Sequence, residues 1–207
     1  DKGIAAVDEL DKMRCVTGDT EVAVADGPNR SISELAQQAA ATGEIEALEN
    51  GRTIRDMDQS VRTMTETGAI VDRPVTAVHQ YEAPSELIEV VTDSGDRLRS
   101  TPDHPFFVSE NGSVTERSAE DLSVGDRTFT PASDSAITDG GSVAAKSAGS
   151  ISLGDVEPAE IVEVSRIENT DWEYVYDLTV EGTHNFVANG MVVHNSEDRS
   201  AMHEALE

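Results

Sequence analysis

Cysteine occurs once, at Cys15, tryptophan once, at Trp172, and lysine three times, at Lys2, Lys12 and Lys146. One cysteine excludes an internal disulfide and any multi-cysteine metal site. Aromatic residues make up 4% of the chain, and 15 basic residues face 41 acidic ones, a formal net charge of −26. Such a surface repels phosphates, so nucleic-acid binding by the chain as a whole is not expected. No apolar run approaches the roughly 18 residues of a membrane span. No secretory signal opens the chain, so the expected setting is the cytoplasm without membrane attachment.

What is present is enough for one or two domains: 207 residues, of which 37% are apolar. The acid excess has two readings. High net charge with few aromatics is a signature of disorder. It is also what a folded protein adapted to molar salt carries, because at about 1 M salt the Debye length is roughly 3 Å and self-repulsion nearly vanishes. Regular strand patterns favour the folded, halophilic reading. They also imply poor folding or inactivity at low salt.

Residues 1–14, DKGIAAVDELDKMR, read as a short buried strand, IAAV, ending in acids. TEVAVADG follows as an alternating strand and turn. SELAQQAAA predicts a short helix over 33–41 with Ser33 as N-cap. From 60 to 131, strand and turn signals alternate in PVTAVHQY, ELIEVVTDSGDRLRS, HPFFVSENGS and VGDRTFTP. Residues 132–157, rich in Ser, Gly, Ala and Asp without an aromatic, read as a flexible linker. Strand character returns from Ile161 to Val193, and 196–207 is helical in type. His104-Pro-Phe-Phe-Val-Ser-Glu-Asn-Gly112 is echoed by His184-Asn-Phe-Val-Ala-Asn-Gly190. Each follows a strand and an upstream Thr, which predicts an all-β fold with pseudo-two-fold character.

The reactive residues stand where the composition changes. Cys15 directly follows a stretch that reads as part of another protein, and His194-Asn195-Ser196 closes the β-rich region. A thiol or a hydroxyl takes over an acyl group from a peptide bond. An asparagine amide nitrogen attacks its own backbone carbonyl and cuts the chain after itself. In these motifs the chain resembles an intein, a protein-splicing element of the Hint fold, without a homing endonuclease domain. The N-terminal motif is Cys15-Val16-Thr17-Gly18-Asp19-Thr20, the Thr-x-x-His block is Thr101-Pro102-Asp103-His104, and the C-terminal blocks run VYDLTVEGTHNFVANGMVVHNS from Val175 to Ser196.

The resemblance implies a splicing domain over 15–195, flanked by 1–14 and 196–207. It implies an all-β horseshoe with one or two short helices. Cys15 attacks the Arg14 carbonyl in an N-to-S acyl shift. Thr101 and His104 polarise that bond, with Asp103 only a turn residue. Asp177 serves as acid–base group, its pKa raised by burial. Ser196 receives the upstream segment, Asn195 cyclises, and His194 and His184 assist. His79 and His203 read as ordinary surface or flanking residues. The chemistry needs no cofactor, metal or partner and turns over once.

Joining 1–14 to 196–207 gives GIAAVDELDKMRSEDRSAMHEALE in its body. That sequence resembles the Walker B region of a haloarchaeal minichromosome-maintenance (MCM) replicative helicase, with Asp8 and Glu9 as the acids that hold Mg-ATP once splicing has occurred. Such a host implies DNA binding and a hexameric ring. The competing readings are a Hint module that cleaves without ligation, an inert acidic insert and, more remotely, a cysteine hydrolase.

Overall fold

The computed structural model describes residues 14–132 and 155–195. The expected strand in 1–14 and helix in 196–207 lie outside them. The first strands are short: β1 (Val16–Thr17), β2 (Glu21–Val22) and β3 (Arg30–Ser31), followed by helix α1 (Ile32–Thr42). A run of strands follows: β4 (Glu44–Leu48), β5 (Gly51–Arg55), β6 (Ser60–Met64), β7 (Ile70–Glu82), β8 (Glu86–Thr92), β9 (Arg97–Ser100), β10 (Pro105–Glu110), β11 (Ser113–Ser118) and β12 (Arg127–Pro131). After 155 come β13 (Val156–Glu168), β14 (Tyr174–Val180), β15 (Asn185–Ala188) and β16 (Met191–His194).

Every described strand pairing is antiparallel. The larger sheet runs β12-β13-β8-β9-β1-β14-β7-β5-β4, with β6 also on β7. The smaller runs β11-β10-β16-β15-β2-β3. The pairings next to the β9–β1 centre of the larger sheet correspond on its two sides. On one side β8 pairs with the 13-residue β13, and on the other β14 pairs with the 13-residue β7. Each long strand changes partner midway. The first part of β7 pairs with β6 and the rest with β14 and β5. The first part of β13 pairs with β12 and the rest with β8. The register shifts in both ladders, at Ile161/Glu163 and at Thr179/Val180, and such irregularities bend a strand. The expected pseudo-two-fold β architecture is therefore present.

The internal repeat is visible in the backbone. Phe106 of β10 and Phe186 of β15 both lie opposite Val193 of β16. Each copy ends in an Asn-Gly turn in the left-handed region, with φ 53 and 80 at Asn111-Gly112 and 48 and 81 at Asn189-Gly190. Paired positive φ is what a two-residue hairpin of the right twist requires.

Helix α1 buries Ile32, Leu35, Ala36 and Ala39, the i, i+3, i+4, i+7 stripe of an amphipathic helix. That stripe joins the main core with Val16, Ile54, Val78, Val90, Leu98, Tyr176 and Leu178. The N-cap of the helix lies two residues earlier than predicted. Ser31, not Ser33, is its N-cap, because Glu34 completes a reciprocal capping box with Ser31. The predicted linker is also too long at its end: Val156 already opens β13.

Candidate functional site

Cys15 enters the centre of the larger sheet just before β1, between β9 and β14. It is 1% exposed. Thr101, directly after β9, grips its backbone twice. The Cys15 N–H donates to Thr101 Oγ1 at 3.0 Å, and the Thr101 N–H donates to the Cys15 carbonyl at 2.9 Å. The nitrogen of the Arg14–Cys15 peptide bond is thus held by a hydroxyl. The Cys15 side chain packs with Leu87 and Val175 against Tyr81 and Trp172. Burial pushes its thiol well above the ordinary range, the Asp177 charge adds to this, and an Arg14 backbone hydrogen bond opposes it.

His104 closes the Thr101–His104 turn, its N–H donating to the Thr101 carbonyl at 3.1 Å. Its ring is fully buried, edge-on to Phe106 at 5.7 Å. Burial lowers the imidazole to a pKa of about 3, the Arg14 backbone draws it up, and His194 and Arg14 press it down. Neither ring nitrogen meets hydrogen-bond geometry among the described residues, yet the Arg14 backbone is near enough to act on it. At neutral pH this is an uncharged imidazole beside the Arg14–Cys15 bond.

The other end arrives through the β15–β16 hairpin. Asn195 is fully buried, and its N–H donates to the His184 carbonyl at 3.0 Å. Among the described residues neither its Oδ1 nor its Nδ2 has a hydrogen-bond partner. A buried amide without hydrogen-bond partners is costly. The His194 ring lies 5.6 Å from Phe107, with Nε2 3.4 Å from the Glu116 carboxylate.

The His184 ring is exposed, and its φ is 59. What it presents to Asn195 is its backbone carbonyl rather than its imidazole. Asp177 is 1% exposed on β14, an interior strand flanked by β1 and β7. His79 is not a surface residue as expected: it is 7% exposed, its ring held between the hydroxyls of Thr53 and Thr179. Asp8, Glu9, Ser196 and His203 lie outside the described residues.

Sequence reasoning missed Asn185. Its side chain accepts from the Met64 N–H at 2.7 Å and donates to the Met64 carbonyl at 2.8 Å, imitating a strand pairing between β15 and β6. This fixes the residue opposite His194. Only its place beside His184 in the motif hinted at it. Among the described residues no group of three or more His, Cys, Asp or Glu is placed to hold a metal, and no helix is long and apolar enough to cross a membrane.

The chain matches the family described as intein splicing domain over residues 22–195. The crystal structure of the PabCDC21-1 intein is similar with TM-score 0.72 and 30% identity, covering 89% of this chain and 99% of that one. The TvoVMA intein is similar in fold, with TM-score 0.71, 24% identity and 88% and 98% coverage. Among curated proteins, the DNA polymerase II large subunit of Haloarcula marismortui is 35% identical over 139 residues, 67% of this chain and 10% of that protein. Elongation factor 2 of Methanopyrus kandleri is 26% identical over 129 residues, 60% of this chain and 10% of that protein. The chain thus spans about a tenth of the length of these relatives. The fold is the all-β Hint fold that the motifs predicted.

Proposed function

The chain belongs to the intein splicing domain family, and from that premise we propose that it excises residues 15–195 from its flanks and joins Arg14 to Ser196. The observation that carries this reading is the double grip of Thr101 on Cys15, with the neutral His104 beside the same peptide bond.

In the first step Cys15 Sγ attacks the Arg14 carbonyl carbon. The Sγ–C bond forms, the C–N bond breaks, and the thiol proton ends on the Cys15 nitrogen. The thiol is held protonated by burial, so a base must receive its proton. Asp177, whose charge raises that thiol, serves as this base. Thr101 holds the nitrogen as it departs, and the proton taken by Asp177 reaches it through the neutral His104, which gains a proton at one ring nitrogen as it gives one up at the other. Proximity supplies much of the rate, since each step is intramolecular.

Ser196 then takes the acyl group from sulfur to oxygen. Asn195 Nδ2 attacks its own carbonyl carbon and expels the Ser196 nitrogen, to which His194 passes the proton that Nδ2 gives up. The His184 carbonyl orients Asn195 through its N–H. An O-to-N shift completes the Arg14–Ser196 bond. The reaction is a single turnover and draws on no cofactor. We further propose that the flanks belong to an MCM-type replicative helicase, in which Asp8 and Glu9 hold Mg-ATP only after excision, and that splicing requires high salt.

The test is intact mass against time after moving the purified chain from dilute buffer into about 2–4 M salt, where repulsion is screened. Excised 15–195 together with a ligated 1–14/196–207 peptide is the expected result, abolished by Cys15→Ala and Asn195→Ala. Cleavage without the ligated peptide favours a self-cleaving module. An unchanged mass in a folded chain overturns the proposal.

A further inference from the structure

His79 takes no part in the steps above, yet it lies buried on the face that carries Asp177. Glu46, Thr53, His79 and Asp177 are successive cross-strand partners on β4, β5, β7 and β14. Extending the β1–β14 register one residue beyond Val16 and Tyr176 sets Cys15 opposite Asp177. Residues directly opposite in antiparallel strands share a face, with Cβ atoms about 4.5–5.5 Å apart. One polar row therefore crosses the sheet from the exposed edge to the reactive thiol.

The His79 ring is held on both sides. Thr53 Oγ1 lies 3.0 Å from Nδ1 and Thr179 Oγ1 lies 2.8 Å from Nε2. The ring stacks on Tyr81, centroids 6.1 Å apart and planes 6° from parallel. A hydroxyl either donates or accepts. Two hydroxyl partners therefore keep both hydrogen bonds in either neutral tautomer and in the imidazolium, with the ring unmoved. The protonation state is left to neighbouring charge. The titratable groups facing His79 are Asp177 from β14, Tyr81 from β7 itself, Arg55 and Glu46 from β5 and β4, and Cys15 beyond Asp177. Arg55 and Glu46 are paired with each other.

We propose that His79 is a positioning residue for Asp177, its imidazole locked by Thr53 and Thr179 so that it sets how strongly the Asp177 carboxylate accepts the Cys15 proton. The inference rests on the proposed splicing reaction. A protonated His79 holds Asp177 as a weak base, and a neutral His79 leaves it a stronger one, so the first step accelerates as His79 loses its proton.

The test measures thiol-induced cleavage at Arg14–Cys15 in the full chain from pH 5 to 9, for wild type, His79→Gln, Asp177→Asn and the double variant. Wild type should show an inflection between about pH 5 and 8, the range in which histidine titrates. His79→Gln, neutral at every pH, should remove that inflection and speed the step about tenfold at pH 5, where wild-type His79 is protonated. In the Asp177→Asn background the same change should have no further effect, because His79 acts only through Asp177. An unaltered pH profile in His79→Gln, or equal acceleration in both backgrounds, overturns the inference. If His79→Gln fails to fold, Thr179→Val carries the test: a shifted inflection supports the role and an unshifted one overturns it. Failure of wild type to cleave at all would instead overturn the splicing reaction on which the inference stands.

Discussion

Burial keeps the Cys15 sulfur a thiol, with Asp177 as the second cause. Iodoacetamide at pH 8 should therefore alkylate it far more slowly than a free cysteine. Asp177→Asn removes the repelling charge and should speed alkylation several-fold, read by mass, while suppressing cleavage at Arg14–Cys15. His104 gives a stability prediction. Its folded pKa of about 3 lies below the ordinary 6.5. Between those values the unfolded chain binds the extra proton, so the His104 contribution is full above pH 6.5 and is lost as pH falls toward 3. The slope is about 1.4 kcal/mol per pH unit. In urea titrations wild type should lose about 2 kcal/mol relative to His104→Leu between pH 6.5 and 5. At this scale the sequence was most informative about residues in motifs: Cys15, Thr101, His104 and Asn195 meet at or beside the two ends of the domain. His79 was misjudged because VTAVHQY shows only alternation. Its burial depends on Thr53 and Thr179, 26 and 100 residues away in the chain.

Among the elements, the hairpin β15–β16 carries the second reactive end, and its turn is tightly specified. Gly190 has φ 81, and a Cβ there would lie 2.5 Å from an Asp96 carboxylate oxygen. Gly190→Ala should cost about 2–3 kcal/mol, part backbone strain and part collision. Asp96→Ala in the same chain should recover only the collision, measured by denaturant midpoints. Ser31→Ala, which removes half of the capping box, should cost about 1 kcal/mol in the same assay. The repeat was legible because both copies keep a Phe and an Asn-Gly turn at matching positions, and structure uses both. The β4–β5 hairpin went unread, although Asn50-Gly51 lies at its turn. Its outer strand is largely exposed, with Ile45 half exposed, so no apolar alternation marks it. The N-cap was misplaced because Ser31 and Ser33 are both serines, and only the reach of Glu34 distinguishes them.

For the molecule as a whole, 41 acids against 15 bases set the balance. Local attraction exists: Glu89 meets Arg97 at 2.8 Å and Arg99 at 3.0 Å, and Arg99 also reaches Asp19. Salt weakens these pairs, which are worth little at a surface. It weakens the general repulsion more, because most acids have no base to answer them. Raising KCl from about 0.15 to 2 M should therefore raise the thermal midpoint, and a flat response would show that charge does not limit stability.

The same molecule shows its two ends to a single histidine. His104 feels Arg14 on one side and His194 on the other. The whole domain thus leaves and returns at nearly one point, and to its flanks it is a loop already closed by its own folding, with no further closure entropy for them to meet. Whatever sequence lies on either side begins its own folding with its halves already neighbours.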